Sequence, residues 1–404
     1  MLGAVSARAL LALAIGSGWP VLAAAEPPAL RLDAPAPETS THLPLVEVAG
    51  GAGRGATARW DLALVLDLSE STLHPSGLDL DGDGPQGTTD PELIAHLSPD
   101  GAAGPGLARR LSEIDFEDTI LAAELEAASA LVKRVSGPRI RTGLIGFSDR
   151  AQVLAPLGTP PPALERALAD LRTHLGEHLR GTHYAAAIEA AHRMLVPDAA
   201  APDDDVQRAI VFLSDGAPSL PVFWGDGGRK PALDAARDAG LDGIRIFAFA
   251  FGDEGAAATE VLGEMARWTE GRADRVEHPE QLVTALHELR LVDVARIAIT
   301  NATTNAPARA VRLFPDGSFD GLVTLGEGEN VLRIEAFASD GSGVYVERKV
   351  VRLAGAADAA ESARGQELLA ALRQRTAEME AWAEVERRRQ EQRRSVSIEA
   401  RPSP

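Results

Sequence analysis

Three short stretches of this chain carry oxygen-bearing side chains of the kind that bind hard cations. Asp67-Leu68-Ser69-Glu70-Ser71 and Ser214-Asp215-Gly216 each follow an apolar run, and Gly181-Thr182 opens a helical pattern. Mg²⁺ prefers oxygen ligands and keeps part of its water when a protein binds it. If the three stretches meet, they supply two carboxylates and three hydroxyls. The candidate ligands are Asp67, Ser69, Ser71, Thr182 and Asp215.

The surrounding pattern indicates how these stretches could meet. Short apolar runs at 62–66, 140–147, 209–213 and 244–251 have the length of buried strands, and helical patterns lie between them. This alternation predicts an α/β domain over residues 59–290, with a doubly wound, mostly parallel sheet flanked by helices. Open sheets of this kind bind ligands at the carboxyl ends of their strands. We therefore expect the three stretches at one edge of the sheet.

In this order, Asp67-x-Ser69-x-Ser71, Thr182 and Ser214-Asp215-Gly216 resemble the metal-ion-dependent adhesion site of von Willebrand factor A domains. The resemblance implies that the two serines and the threonine coordinate Mg²⁺ or Mn²⁺ directly or through water. It implies that the two aspartates bind directly or accept hydrogen bonds from bound waters. It also implies an open position that captures an Asp or Glu of a partner protein. The alternative is that Asp67 and Asp215 merely cap turns.

Neutral hydroxyls leave a bound cation electron-poor, which favours an incoming carboxylate. We therefore expect a protein-binding or adhesion module rather than an enzyme. Its alternatives are a scaffold component of an envelope assembly and a metal-assisted hydrolase. The sequence holds no His-Glu-x-x-His, no Gly-x-Ser-x-Gly and no cysteine, so no familiar catalytic set is present.

An acidic loop within a predicted insertion at 72–112 indicates a second cation. Counted from Asp79, carboxylates stand at positions 1, 3 and 5, a glycine at 6, a backbone carbonyl at 7 and an aspartate at 12. The loop resembles the EF-hand-like repeats of dockerins and thrombospondin type 3 domains, which implies Ca²⁺ binding. The alternative is a solvated acidic turn. The predicted ligands are Asp79, Asp81, Asp83, Pro85 and Asp90.

Composition and the first residues point to an exported bacterial protein. The net charge of -19 disfavours nucleic acid as a partner, and none of the three lysines is followed by Ser or Thr, as a P-loop requires. Residues 1–25 have the apolar stretch and small-residue end of a signal peptide. No segment is apolar for long enough to span a membrane. We expect a periplasmic or extracellular location, without disulfides.

The remaining segments have weaker patterns. Residues 26–58 mix Pro, Ala, Gly and Thr and are predicted to be a linker or edge segment. Alternating residues at 292–354 predict a small, immunoglobulin-like β-sandwich. Residues 359–395 predict a charged helix that packs on one of the domains. Dimerisation through its apolar stripe is the alternative, and the sequence leaves the oligomeric state open.

Overall fold

The computed structural model describes residues 29–53, 59–76, 116–135, 139–171, 181–197, 206–221, 227–252, 255–278, 281–292, 294–338 and 341–399. The predicted signal peptide at 1–25 lies outside these residues. The same holds for the predicted calcium ligands Asp79, Asp81, Asp83, Pro85 and Asp90.

The strands of the described residues form three sheets. The strands are β1 (Leu30–Ala34), β2 (Thr39–Thr41), β3 (Leu45–Ala52), β4 (Arg59–Asp67), β5 (Ile140–Phe147), β6 (Ala151–Ala155), β7 (Val206–Ser214), β8 (Ile244–Phe251), β9 (Arg272–Val276), β10 (Arg296–Asn301), β11 (Ala306–Pro307), β12 (Arg309–Leu313), β13 (Ser318–Thr324), β14 (Gly328–Phe337) and β15 (Gly343–Arg352).

The helices lie mainly between the strands of the α/β unit and at the carboxyl end of the chain. They are α1 (Ile120–Arg134), α2 (Pro161–Leu171), α3 (Tyr184–Leu195), α4 (Arg229–Leu241), α5 (Gly255–Trp268), α6 (Gln281–Glu288) and α7 (Ala359–Glu399), with short 3₁₀ helices at Glu70–Leu73 and Phe116–Asp118.

The largest sheet is six-stranded, in the order β6-β5-β4-β7-β8-β9, and is parallel except for β6. Alternate residues of β4 enter two separate cores. Trp60 and Leu64 pack with α1, α2 and α6, whereas Ala63 and Val65 pack with α3, α4 and α5. Burial on both faces explains why the strands read as continuous apolar runs. The predicted doubly wound α/β fold is confirmed.

Two further sheets face each other as a β-sandwich, in the orders β1-β3-β13-β12 and β11-β10-β14-β15-β2. Val48 and Val323 of the first sheet share a core with Leu332 and Ile334 of the second. Because β1, β2 and β3 come before β4, the α/β unit is inserted in the chain between strands of the sandwich.

The sequence predicts a linker or edge segment at residues 26–58. Within 30–52, β1 and β2 do lie at sheet edges, whereas β3 lies inside its sheet and is not a linker. β3 pairs antiparallel with β13, from Leu45 opposite Thr324 to Gly51 opposite Ser318, a partner that no local pattern reveals. The carboxyl end of β3 is also rich in glycine and alanine, which weakens the sequence signal for a strand. The glycine at position 50 has a structural cause, since a Cβ there would lie 2.1 Å from the carbonyl oxygen of Arg31.

Helix α7 packs on the first sheet of the sandwich. Leu368 is buried against Leu45 and Leu322, and Arg375 forms ion pairs with Glu47 at 3.0 Å and Asp320 at 3.4 Å. Among the described helices, none combines the length and the apolar character needed to cross a membrane.

Candidate metal centre

Asp67 ends the central strand β4 and is fully buried. Its Oδ1 accepts the backbone N–H of Ser69 at 2.9 Å, and its Oδ2 accepts the hydroxyl of Ser214. The carboxylate therefore does cap the turn after β4. It also reaches across to the end of β7, which turn capping does not require.

The two serines of the first stretch lie beside the second aspartate. The hydroxyl oxygens of Ser69 and Ser71 are 3.2 Å apart, and the Ser71 hydroxyl donates to Asp215 Oδ1 at 2.8 Å. Ser69 and Asp215 are each 2% exposed, and Ser71 is half-buried. β4 and β7 are parallel neighbours, so their carboxyl ends bring these side chains together across 144 residues of sequence.

Thr182 joins the same edge through its backbone. Its N–H donates to Ser219 Oγ at 2.9 Å, and its carbonyl accepts the N–H of Ser219 at 2.9 Å. Ser219 belongs to the loop that begins with Asp215. The preceding Gly181 has φ +71°, a conformation that residues with a Cβ rarely adopt, and so turns the chain into this contact. The loops that carry the predicted ligands thus meet after β4, after β7 and before α3.

A buried carboxyl that the motif did not include lies behind the site. Glu124 of α1 is fully buried, and its Oε1 accepts the backbone N–H of Asp67 at 2.9 Å. Its Oε2 has no hydrogen-bond partner among the described residues. The sequence did carry a signal, because Glu124 falls on the apolar stripe of α1, one turn after Ile120 and Leu121. Acidic residues in that position are seldom left unpaired without a reason.

Two further groups complete the surroundings of Asp67. Ser214 is fully buried and precedes Asp215, and Tyr184 is the fully buried first residue of α3. The Tyr184 hydroxyl lies 2.9 Å from Ser214 Oγ and 2.5 Å from the carbonyl oxygen of Gly216. The motif did not assign a role to either side chain.

Burial makes negative charge costly here. It raises the pKa of Asp67 from 3.8 to about 6, although hydrogen bonds from Ser214 and Ser69 offset part of the effect. Burial, and then the charge of Asp67, hold the pKa of Glu124 well above its usual range. A divalent cation would relieve this cost, since it favours the ionised form of a neighbouring carboxyl group.

The donor set fits a hard cation. Within the described ranges, no three His, Cys, Asp or Glu side chains cluster as a metal site would require. The candidate ligands instead include three hydroxyls with two carboxylates, and all of them are oxygen donors. Oxygen ligands in an incomplete shell suit Mg²⁺ or Mn²⁺ better than softer metals.

Comparison with protein families agrees with this fold. Residues 110–217 match the family model described as von Willebrand factor type A domain. The match includes Thr182 and Asp215 and begins after Ser71. The order of the sheet and the helices on both its faces agree with that family match and give a von Willebrand factor A-like α/β fold.

Solved structures with similarity to the chain have low sequence identity. A von Willebrand factor type A structure from Catenulispora acidiphila is 11% identical, over 80% of this chain and 72% of that chain, with a TM-score of 0.39. The von Willebrand factor domain of the type V pili tip protein Mfa5 from Porphyromonas gingivalis is 13% identical, over 57% and 93%, with a TM-score of 0.33.

Proximal thread matrix protein 1 from the mussel byssus, with a zinc-occupied MIDAS motif, is also similar. It is 13% identical, over 57% of this chain and 46% of that chain, with a TM-score of 0.38. A comparison with curated proteins found no match.

Proposed function

We propose that this chain is a non-enzymatic, divalent-cation-dependent protein-binding module. Mg²⁺ or Mn²⁺ would be held by Asp67, Ser69, Ser71, Thr182 and Asp215 and would capture a carboxylate of a partner protein. The observation that carries this proposal is the contact between Ser71 Oγ and Asp215 Oδ1 at 2.8 Å, with Ser69 Oγ 3.2 Å from Ser71 Oγ. Oxygen donors from two distant loops thereby converge at the carboxyl ends of β4 and β7.

The residues of the site have different tasks. Asp67 is buried and already accepts two hydrogen bonds, so it orients the turn that presents Ser69 and Ser71. Ser71 is the most exposed of these. Asp215 brings a second negative charge from the end of β7. When bound, the cation supplies a Lewis-acidic position that a carboxylate oxygen can occupy.

The negative charge of the whole chain makes binding of an acidic partner depend more strongly on the metal. A net charge of -19 repels a carboxylate-bearing partner at long range. Two negative side chains at the site add to this repulsion when no cation is present. We therefore expect binding of an acidic ligand to vanish in chelator rather than to weaken slightly.

Calorimetric titration with MgCl₂ tests the site directly. Wild type is expected to take up the ion at this site, whereas Asp215→Asn is expected to lose that uptake. Asp238→Asn is the matched control, because Asp238 is exposed on α4. Unchanged uptake by Asp215→Asn would contradict the assignment of the ligands.

Capture from the extracellular fraction of the source organism then tests the function. A partner retained in Mg²⁺, released by chelator and absent with Asp215→Asn supports cation-dependent binding. A partner retained equally under all three conditions would instead favour the scaffold alternative.

Two related proposals concern residues outside the described ranges. Asp79, Asp81, Asp83, Pro85 and Asp90 would bind Ca²⁺ and order the insertion beside the site, which a Ca²⁺ titration of an Asp79→Asn, Asp81→Asn variant tests. The chain would be exported to the periplasm or beyond. If so, the native protein begins at Glu26, which terminal sequencing tests; retention of residues 1–25 would contradict cleavage there.

A further inference from the structure

The hydroxyl of Tyr184 takes part in a buried hydrogen-bond network that ends on Asp67. It lies 2.9 Å from Ser214 Oγ and 2.5 Å from the carbonyl oxygen of Gly216. Ser214 Oγ contacts Asp67 Oδ2 and is also 3.1 Å from the Gly216 carbonyl. Tyr184, Ser214 and Asp67 are all fully buried, so bulk solvent does not compete for these bonds.

The Tyr184 hydroxyl affects which acceptor receives the Ser214 hydrogen. The two hydroxyls have one hydrogen each, and the competing acceptors are Asp67 Oδ2, Gly216 O and Ser214 Oγ. If Tyr184 donates to Gly216, the Ser214 hydrogen stays with Asp67. Without the tyrosine hydroxyl, the Gly216 carbonyl loses a donor and competes with Asp67 Oδ2 for the Ser214 hydrogen. This competition weakens a buried hydrogen bond to Asp67, which is costly.

The orientation of Asp67 matters for the candidate ligands. Its other oxygen, Oδ1, holds the backbone N–H of Ser69 at 2.9 Å. The carboxylate is thus fixed at both ends, by the turn that carries Ser69 and by the network from Tyr184. A weaker hydrogen bond at Oδ2 would free the carboxylate to rotate, and this rotation would also move Oδ1.

We propose that Tyr184 is a positioning residue of the metal site, which directs the Ser214 hydroxyl onto Asp67 and so presets the ligand geometry for the cation. This inference rests on the proposed cation binding, and it adds a residue that touches neither the cation nor the partner.

The chain offers a substitution that removes the hydroxyl and keeps the ring. The Tyr184 ring packs edge-on against Phe147 and Phe212, with centroids 5.9 and 4.9 Å away. A phenylalanine at this position keeps both contacts. Tyr345 provides the matched control, since it is the other tyrosine of the sequence and is 61% exposed on the sandwich.

Calorimetric titration with MgCl₂ is the first test. Tyr184→Phe is expected to bind Mg²⁺ about 5- to 20-fold more weakly than wild type, as expected for one lost buried hydrogen bond. Tyr345→Phe is expected to match wild type. Ser214→Ala, which removes the next group in the network, is expected to weaken binding at least as much as Tyr184→Phe.

Fluorine NMR of the protein labelled with fluorotyrosine gives a second readout that needs no change at Tyr184. Two signals are expected, and Tyr345→Phe assigns them by removing one. Addition of MgCl₂ is expected to shift the Tyr184 signal and leave the Tyr345 signal in place. An unmoved Tyr184 signal would show that its hydroxyl is not coupled to the site.

The outcomes separate this inference from the proposed function. Wild-type binding together with equal affinity of Tyr184→Phe, or with an unmoved Tyr184 signal, would overturn the positioning role alone. No uptake of Mg²⁺ by wild type would overturn both.

Discussion

Replacing Asp67 with asparagine is expected to stabilise the protein in chelator while abolishing uptake of Mg²⁺. The carboxyl is fully buried at the end of β4, and burial raises its pKa from 3.8 to about 6. Each pKa unit corresponds to about 1.4 kcal/mol, so the ionised group costs the folded state about 3 kcal/mol at neutral pH. Asparagine carries no charge and avoids this cost.

The geometry accommodates the amide. Its Oδ1 can still accept the N–H of Ser69, and its Nδ2 can donate to Ser214 Oγ. The Ser214 hydrogen can then turn to the Gly216 carbonyl, 3.1 Å away. Allowing for imperfect replacement of these hydrogen bonds, we expect a gain of about 1–3 kcal/mol in the free energy of unfolding.

The pH dependence has a definite sign. Below pH 3.8 the carboxyl is protonated in both the folded and unfolded states, so it does not alter the stability. Between pH 3.8 and about 6 the unfolded state ionises first, and wild type loses stability relative to Asp67→Asn. Above that range the contribution of Asp67 itself stays constant, and loss of its charge favours the variant further because it lowers the pKa of Glu124.

Urea unfolding in EDTA, at about pH 4 and about pH 7.5, measures this difference. Asp238→Asn, at an exposed site on α4, is expected to match wild type at both values. Added MgCl₂ is expected to stabilise wild type and leave Asp67→Asn unchanged, because a ligand stabilises only the state that binds it. A variant less stable than wild type at neutral pH in EDTA, or a difference independent of pH, would refute the reasoning.

Three other predictions concern the loops and the terminal helix. Gly181→Ala should weaken Mg²⁺ uptake in calorimetry, because φ at this position is +71° and the new Cβ would lie 2.9 Å from Leu220 Cδ1. Unchanged affinity would show that this turn does not place a ligand. Leu368→Ala removes a side chain that is 7% exposed and should lower the free energy of unfolding by about 2–3 kcal/mol. It should also speed hydrogen exchange in α7, and unaltered exchange would contradict packing of the helix there. Hydrogen bonds from the His42 ring, the Thr41 hydroxyl and the His42 backbone hold the pKa of Glu361 below its usual 4.5. These contacts are therefore fully present above pH 4.5 and are lost as pH falls through the lowered pKa. Hydrogen exchange at the start of α7 should rise in that range, and a flat profile would count against the contacts.

The sequence predicted the α/β unit and the meeting of its loops because the signals there are local. Each parallel strand is buried on both faces and reads as an unbroken apolar run, and Asp67 and Asp215 stand directly after two such runs. Parallel neighbours then bring their carboxyl ends together without further information.

The sequence did not reveal the role of residues 30–52, because strand pairing at long range leaves no local pattern. β3 pairs with β13 across more than the length of the α/β unit, and Gly50 reflects close approach to the backbone of Arg31 rather than a loop. The buried groups behind Asp67 were missed for another reason. Glu124 and Tyr184 lie on helices at positions that periodicity assigns to the core, and their polar atoms become informative once their partners are known.

An anomalous-scattering map from crystals grown with MnCl₂ tests the central claim most directly. We expect a strong peak at the carboxyl ends of β4 and β7, about 2.0–2.4 Å from hydroxyl oxygens of Ser69 and Ser71. Saturating Mn²⁺ without a peak at that position, in crystals where the two serines and Asp215 lie as described, would contradict it.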